Sequence, residues 1–86
     1  MIDLESILKG VEVVSSRNRE RNAVIKSIEF DSRKVCPDSL FIAVKGTKTD
    51  GHDFIGDAIS SGAKAVICEL IPGHPDNEVI WIQTPC

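Results

Sequence analysis

Two apolar strand-length runs, the continuous LFIAV at 40–44 and the strand KAVICEL at 64–70, constrain this chain more than any other feature. A strand with one wetted face alternates apolar and polar residues. A run without alternation is buried on both faces, as inside a parallel sheet. Parallel neighbours need a crossover, usually a helix. DFIGDAISSGA at 53–63 supplies one: Phe54, Ile55, Ala58 and Ile59 fall on one stripe, with Asp53 as candidate N-cap and Gly62 as the stop. Residues 40–68 thus predict a βαβ unit with a right-handed crossover.

The flanking segments predict a small α/β domain around that unit. DLESILKG at 3–10 reads as a short helix capped by Asp3, with Leu4, Ile7, Leu8 and Val11 on one face and Gly10 past its end. VEVV at 11–14 reads as a strand, and SSRNRERN at 15–22 as a solvated turn. AVIKSIEFDSR at 23–33 predicts a half-buried strand with Ile28 and Phe30 on a shared face. KVCPDS is a turn built on Pro37, IPGHPDN a loop, and EVIWIQ at 78–83 a last strand whose bare edge needs a cover. The expected fold is a three-layer-like sheet with two main helices. The chain stops at IWIQTPC, directly after a predicted strand, so residues 1–86 are expected to be one domain of a longer protein.

Composition excludes several function classes. No apolar stretch reaches the ~18 residues of a membrane span. The start, MIDLESILKG, lacks the basic region of a signal peptide. A net charge of −3 argues against a nucleic-acid partner. Cys36, Cys68 and Cys86 are widely spaced, and His52 and His74 lie far apart, so no metal site is expected. Three reduced thiols suit a cytoplasmic protein, with Cys68 acting as a small hydrophobe in an apolar strand.

KGTKTDGHDF at 45–54 falls between a buried strand and a helix start, where open α/β sheets bind ligands. Gly46 and Gly51 bracket four residues as in a P-loop, yet His52 and Asp53 stand where Lys and a hydroxyl residue would grip phosphate and magnesium. ATP is therefore not expected at this loop. Asp50, Gly51 and His52 read as a structural turn, with Gly51 serving positive φ or close approach. Thr47, Lys48 and Thr49 are the candidate ligand residues. In FDSRKV, Asp31 and Ser32 are expected to bond local backbone and Arg33 to pair with an acid. Ser32 has no adjacent His base and is no nucleophile on this pattern.

FDSRKVCPDSLFIAVKGTKTDGHDFIGDAISSGAKAVICE at 30–69 resembles the N-terminal domain of the Mur ligases, with the order and spacing of D-S-R-x-V-x-P, L-F-x-A, D-G-H-x-F-I and G-A-x-A-V. One position departs: Asp38 stands where the family usually has Gly. The Asp-Ser-Arg form and the opening helix most resemble the branch that adds the third amino acid, diaminopimelate or lysine, to UDP-MurNAc-L-Ala-D-Glu. The D-Ala-D-Ala-adding branch is the alternative, and a non-enzymatic α/β interaction module the second. The resemblance implies a domain that holds the uridine diphosphate end of a UDP-MurNAc-peptide. ATP, magnesium and the amide-forming chemistry would belong to the central and C-terminal domains of the parent chain. Carried over by position, Phe30, Ser32, Thr47, Lys48 and Thr49 would contact uridine, with Asp31, Arg33, Asp50 and Gly51 as scaffold.

Overall fold

The computed structural model describes residues 1–44 and 50–85. Its core is the predicted crossover. β5 (Ser39–Ile42), helix α2 (Ile55–Ser60) and β6 (Ala63–Cys68) follow one another, and β5 and β6 pair in parallel. β4 (Ser27–Glu29) joins β5 on one side and β7 (Ile80–Gln83) joins β6 on the other, both parallel. β2 (Ser15–Arg17) closes the far edge antiparallel to β7, giving the order β2-β7-β6-β5-β4. A ribbon of β1 (Ile2–Asp3) with β3 (Val24–Ile25) lies apart from this sheet and is followed in the chain by α1 (Leu4–Ile7).

Leu40, Phe41, Ala65, Val66 and Cys68 are buried, so both faces of the two runs are covered, whereas Val44 and Leu70 at their ends are exposed. Strand alternation sorts the buried residues into two cores. Phe41, Val66, Cys68 and Trp81 point toward α2 and meet Val35, Ile55 and Ala58. Leu40, Ala65, Ile80 and Ile82 point the other way and meet Leu4, Leu8 and Ile25. The three-layer expectation is met. Trp81 is buried with its indole N–H donating to the Asp76 carbonyl at 2.9 Å, so its polar edge is satisfied inside the core. Burial pushes the Cys68 thiol up to about 11, in keeping with its role as a hydrophobe.

Several local expectations are corrected. Asp3 does cap α1, accepting from the Ser6 amide, but the helix stops at Ile7 and leaves Val11 exposed. The strand expected at 11–14 lies later, at Ser15–Arg17, inside the segment read as a solvated turn. That segment is polar because it forms an edge strand and then a 3-10 turn at Arg19–Arg21, where Arg19 grips Glu5 through two hydrogen bonds of 2.9 and 3.0 Å. The strand expected at 23–33 is two strands in different sheets. Ile25 is buried, whereas Ile28 and Phe30 are exposed, so the predicted apolar face has the wrong parity. The last strand is not a bare edge: β2 covers it, which removes that objection to an independently folding module.

The turn before β5 accommodates the departure from the family pattern. Asp38 adopts φ 66, a left-handed conformation that Gly takes freely and Asp tolerates at modest cost. Its backbone bridges the sheet edge: the Asp38 amide donates to the Gly62 carbonyl and its carbonyl accepts from Lys26.

Candidate functional site

Beyond the carboxyl ends of β4 and β5 lies a cleft of about 590 Å³, lined by Phe30, Ser32, Phe41, Val44, Gly51 and Phe54, with Asp31, Arg33 and Asp57 around them. Two turns, distant in sequence, form its walls. The first follows β4. Asp31 caps a 3-10 turn at Ser32–Lys34, accepting from the Arg33 amide at 2.9 Å. The Arg33 guanidinium then folds back on the same carboxylate, at 3.0 Å from Nε and 2.8 Å from Nη2. Arg33 thereby holds the Asp31 carboxyl down at about 2. Both expectations for Asp31 and Arg33 hold, and their mutual lock leaves Ser32 on the cleft wall.

The second turn follows the segment 45–49. Asp50, not Asp53, provides the cap. Its carboxylate accepts from the His52 amide at 3.0 Å and opens a 3-10 turn, Gly51–Phe54, that runs into α2. Asp53 sits one turn too late to serve. Gly51 is required by close approach rather than by positive φ: a Cβ there would lie 2.5 Å from the Val44 amide nitrogen and 2.8 Å from its carbonyl oxygen. The Gly51 amide donates to that carbonyl at 2.8 Å. Gly62 ends α2 as expected, with φ 108.

Phe30 and Ser32 thus share one cleft with Val44 and Gly51, the described residues that flank 45–49. Thr47, Lys48 and Thr49 lie outside the described residues. The sequence pattern shows Phe54 only as part of the helix stripe. It is 38% exposed and faces the cleft, which its place at the start of a helix next to a ligand-type loop could have signalled. Phe41 was read only as core, and its parity in β5 puts it under the cleft.

Among the described residues, the position after Gly51 offers a triphosphate no cation. His52 follows Gly51 in place of Lys, and both of its ring nitrogens are occupied, by Asp50 and by the Glu69 amide. Among the described residues no group of three His, Cys, Asp or Glu side chains is placed to hold a metal. Nor is any helix long and apolar enough to cross a membrane.

A mixed sheet whose four inner and edge strands β4–β7 run parallel, with a cleft past the carboxyl ends of β4 and β5 walled by two capped turns, defines a small α/β domain of the open-sheet type. The chain belongs to the Mur ligase family: residues 24–81, about two thirds of it, match the model described as "Mur ligase family, catalytic domain". A UDP-N-acetylmuramoyl-L-alanyl-D-glutamate--2,6-diaminopimelate ligase from Chlorobaculum tepidum is 49% identical over 63 residues, covering 73% of this chain and 12% of that protein. The enzyme of the same name from Phocaeicola vulgatus is 44% identical over 83 residues, covering 93% of this chain and 16% of that protein. This chain therefore spans less than a fifth of those relatives. Among solved structures, MurF from Acinetobacter baumannii superposes with a TM-score of 0.77 at 20% identity, over 96% of this chain and 18% of that one, a likeness of fold.

Proposed function

We propose that this chain is the N-terminal domain of an ATP-dependent cytoplasmic ligase that adds the third amino acid of the peptidoglycan precursor, and that it holds the uridine end of UDP-MurNAc-L-Ala-D-Glu. The observation that carries this reading is the convergence of Phe30 and Ser32 with Val44 and Gly51 at one cleft. The chemistry suits a nucleoside. Exposed Phe30 and half-exposed Phe54 offer faces for a base, and Ser32 offers a hydroxyl for a carbonyl or ribose. Asp57 would repel a diphosphate and the Asp31 charge is already matched by Arg33, so in this reading the base and ribose take the cleft and the phosphates point away from Asp57. Thr47, Lys48 and Thr49 complete the proposed contacts.

The names of the relatives support diaminopimelate as the amino acid added, rather than lysine. They also favour this branch over the D-Ala-D-Ala-adding alternative, whose structural likeness is one of fold. Among the described residues no group of three His, Cys, Asp or Glu side chains is placed to hold a metal, and His52 stands where a phosphate-gripping Lys would. ATP, magnesium and amide formation belong in this reading to the central and C-terminal domains of the parent protein, and this chain by itself is not catalytic.

Titrating UDP into the chain and following backbone amides by NMR tests the proposal. Shifts should cluster at Phe30, Ser32, Val44 and Gly51. Replacing Ser32 with Ala should weaken binding roughly two- to tenfold, the worth of one hydrogen bond. Shifts confined to residues remote from these four would remove uridine from the cleft.

A further inference from the structure

The turn Asp50–Gly51–His52 ties together two strand ends that are far apart in sequence. His52 Nε2 accepts from the Glu69 amide at 3.0 Å, just past the end of β6. An acceptor nitrogen there leaves the ring proton on Nδ1, which lies 2.7 Å from Asp50 Oδ1 and donates to it. The ring is mostly enclosed, with 19% of its side chain exposed. It borders a hollow formed by Asp50, Ile55, Glu69, Leu70 and Pro72, so the titratable groups facing it are Asp50 from its own turn and Glu69 just past β6. One residue earlier, Gly51 is pressed onto Val44.

We propose that His52 is a positioning residue: a neutral imidazole, pinned between Asp50 and the Glu69 amide, latches the turn to β6 and so keeps Gly51 seated on Val44 as a wall of the Ser32 cleft. The residue type follows from the geometry. Holding Asp50 needs a donor close to the backbone, and reaching Glu69 needs an acceptor farther out. Imidazole supplies both from one rigid ring, whereas Asn supplies the first position and Gln the second. With both nitrogens engaged, the ring acts by geometry. Only the identity of the ligand in this inference rests on the uridine reading above.

Amide hydrogen exchange on the chain, read by NMR for the native protein, His52→Asn and His52→Gln, tests the latch. In His52→Asn the Glu69 and Gly51 amides should exchange at least about tenfold faster, while sheet amides such as Leu40 and Val66 keep their native rates. His52→Gln should restore most of the protection at both. UDP affinity should fall about tenfold in the Asn variant and stay within about threefold of native in the Gln variant. Native Gly51 exchange in His52→Asn overturns the proposal, and so does equal acceleration of Gly51 and Val66. If the Asn variant does not fold, loss of Glu69 protection in His52→Gln overturns it instead. A native chain that shows no UDP shifts sinks the uridine reading alone, because Gly51 and Glu69 exchange still judges the latch. Normal UDP binding with intact Gly51 protection in His52→Asn sinks the latch alone.

Discussion

Among the described residues, a pair of clefts of nearly equal volume lies at opposite rims of the sheet. One, about 590 Å³, lies past the carboxyl ends of β4 and β5. The other, about 580 Å³, lies at the amino ends, among Arg21, Lys26, Asp38, Lys64 and Glu78. Size does not separate them; the stiffness of their walls does. The first is built from capped turns whose polar groups are held at 2.7–3.0 Å by bonds spanning two residues. The second is rimmed by long side chains in loose ion pairs, Lys26 to Asp38 at 3.6 Å, Arg21 to Glu78 at 3.8 Å and Lys64 to Asp38 at 3.9 Å. Such exposed pairs contribute little and leave the side chains mobile. A ligand ordered by the first rim loses little entropy in the protein, whereas the second would have to be ordered first.

The largest expected effect is on the floor of the first cleft. Phe41→Ala should cost roughly 3–5 kcal/mol in urea unfolding, because Phe41 is both cleft floor and buried core. A loss below about 1 kcal/mol would show that this floor is not packed. Alkaline titration probes the dryness of the same core. The Cys68 thiol rises to about 11 from 9.0, so its contribution is fully present below pH 9 and is lost as pH climbs toward 11. That amounts to about 2–3 kcal/mol, visible as the difference between the native protein and Cys68→Ala; parallel pH curves would mean a wet thiol.

Gly51→Ala should come next, at about 1–3 kcal/mol from forced contact with Val44, together with loss of UDP shifts at Val44. Unchanged stability would show that the wall yields. At the other rim, Lys64→Ala should change stability by less than about 0.5 kcal/mol and leave UDP affinity untouched. A drop in affinity there would reverse the contrast between the rims. Asp31 gives the smallest signal. Its carboxyl titration by NMR should have a midpoint near 2, with its stabilisation present above about pH 3.8 and lost as pH falls toward 2. A midpoint at the ordinary value would mean that the Arg33 clasp is open in solution.

The strands and helix of 40–44 and 50–68 are legible because burial on both faces writes a strong apolar pattern, and a helix must join parallel neighbours. The turn residues Asp31, Arg33, Gly51 and Gly62 were legible because their jobs are local. The amino-terminal third was not. Ser15–Arg17 is an edge strand whose side chains are largely wetted, so it carries no period-two apolar signal, and its pairing is decided by β7, more than sixty residues later. Ile25 and Ile28 sit in two different sheets, so no single alternation could describe them. In the site, Phe54 was hidden by doubling as a helix residue, and Asp53 was preferred over Asp50 because a 3-10 turn precedes the α-helix and moves the cap upstream.

The pairing of β2 with β7 also has a kinetic consequence. Ser15 is made early on the ribosome, but Gln83, opposite it in the strand register, is among the last residues of this segment to emerge. The β5–α2–β6 parallel crossover can collapse as soon as it clears the exit tunnel, whereas the early strand has to wait, unpaired, for the late one. Docking of β2 is then the closing event of assembly, its rate limited by a long loop closure, and a nascent chain stalled before Ile80 would present β6 as an open template for foreign strands.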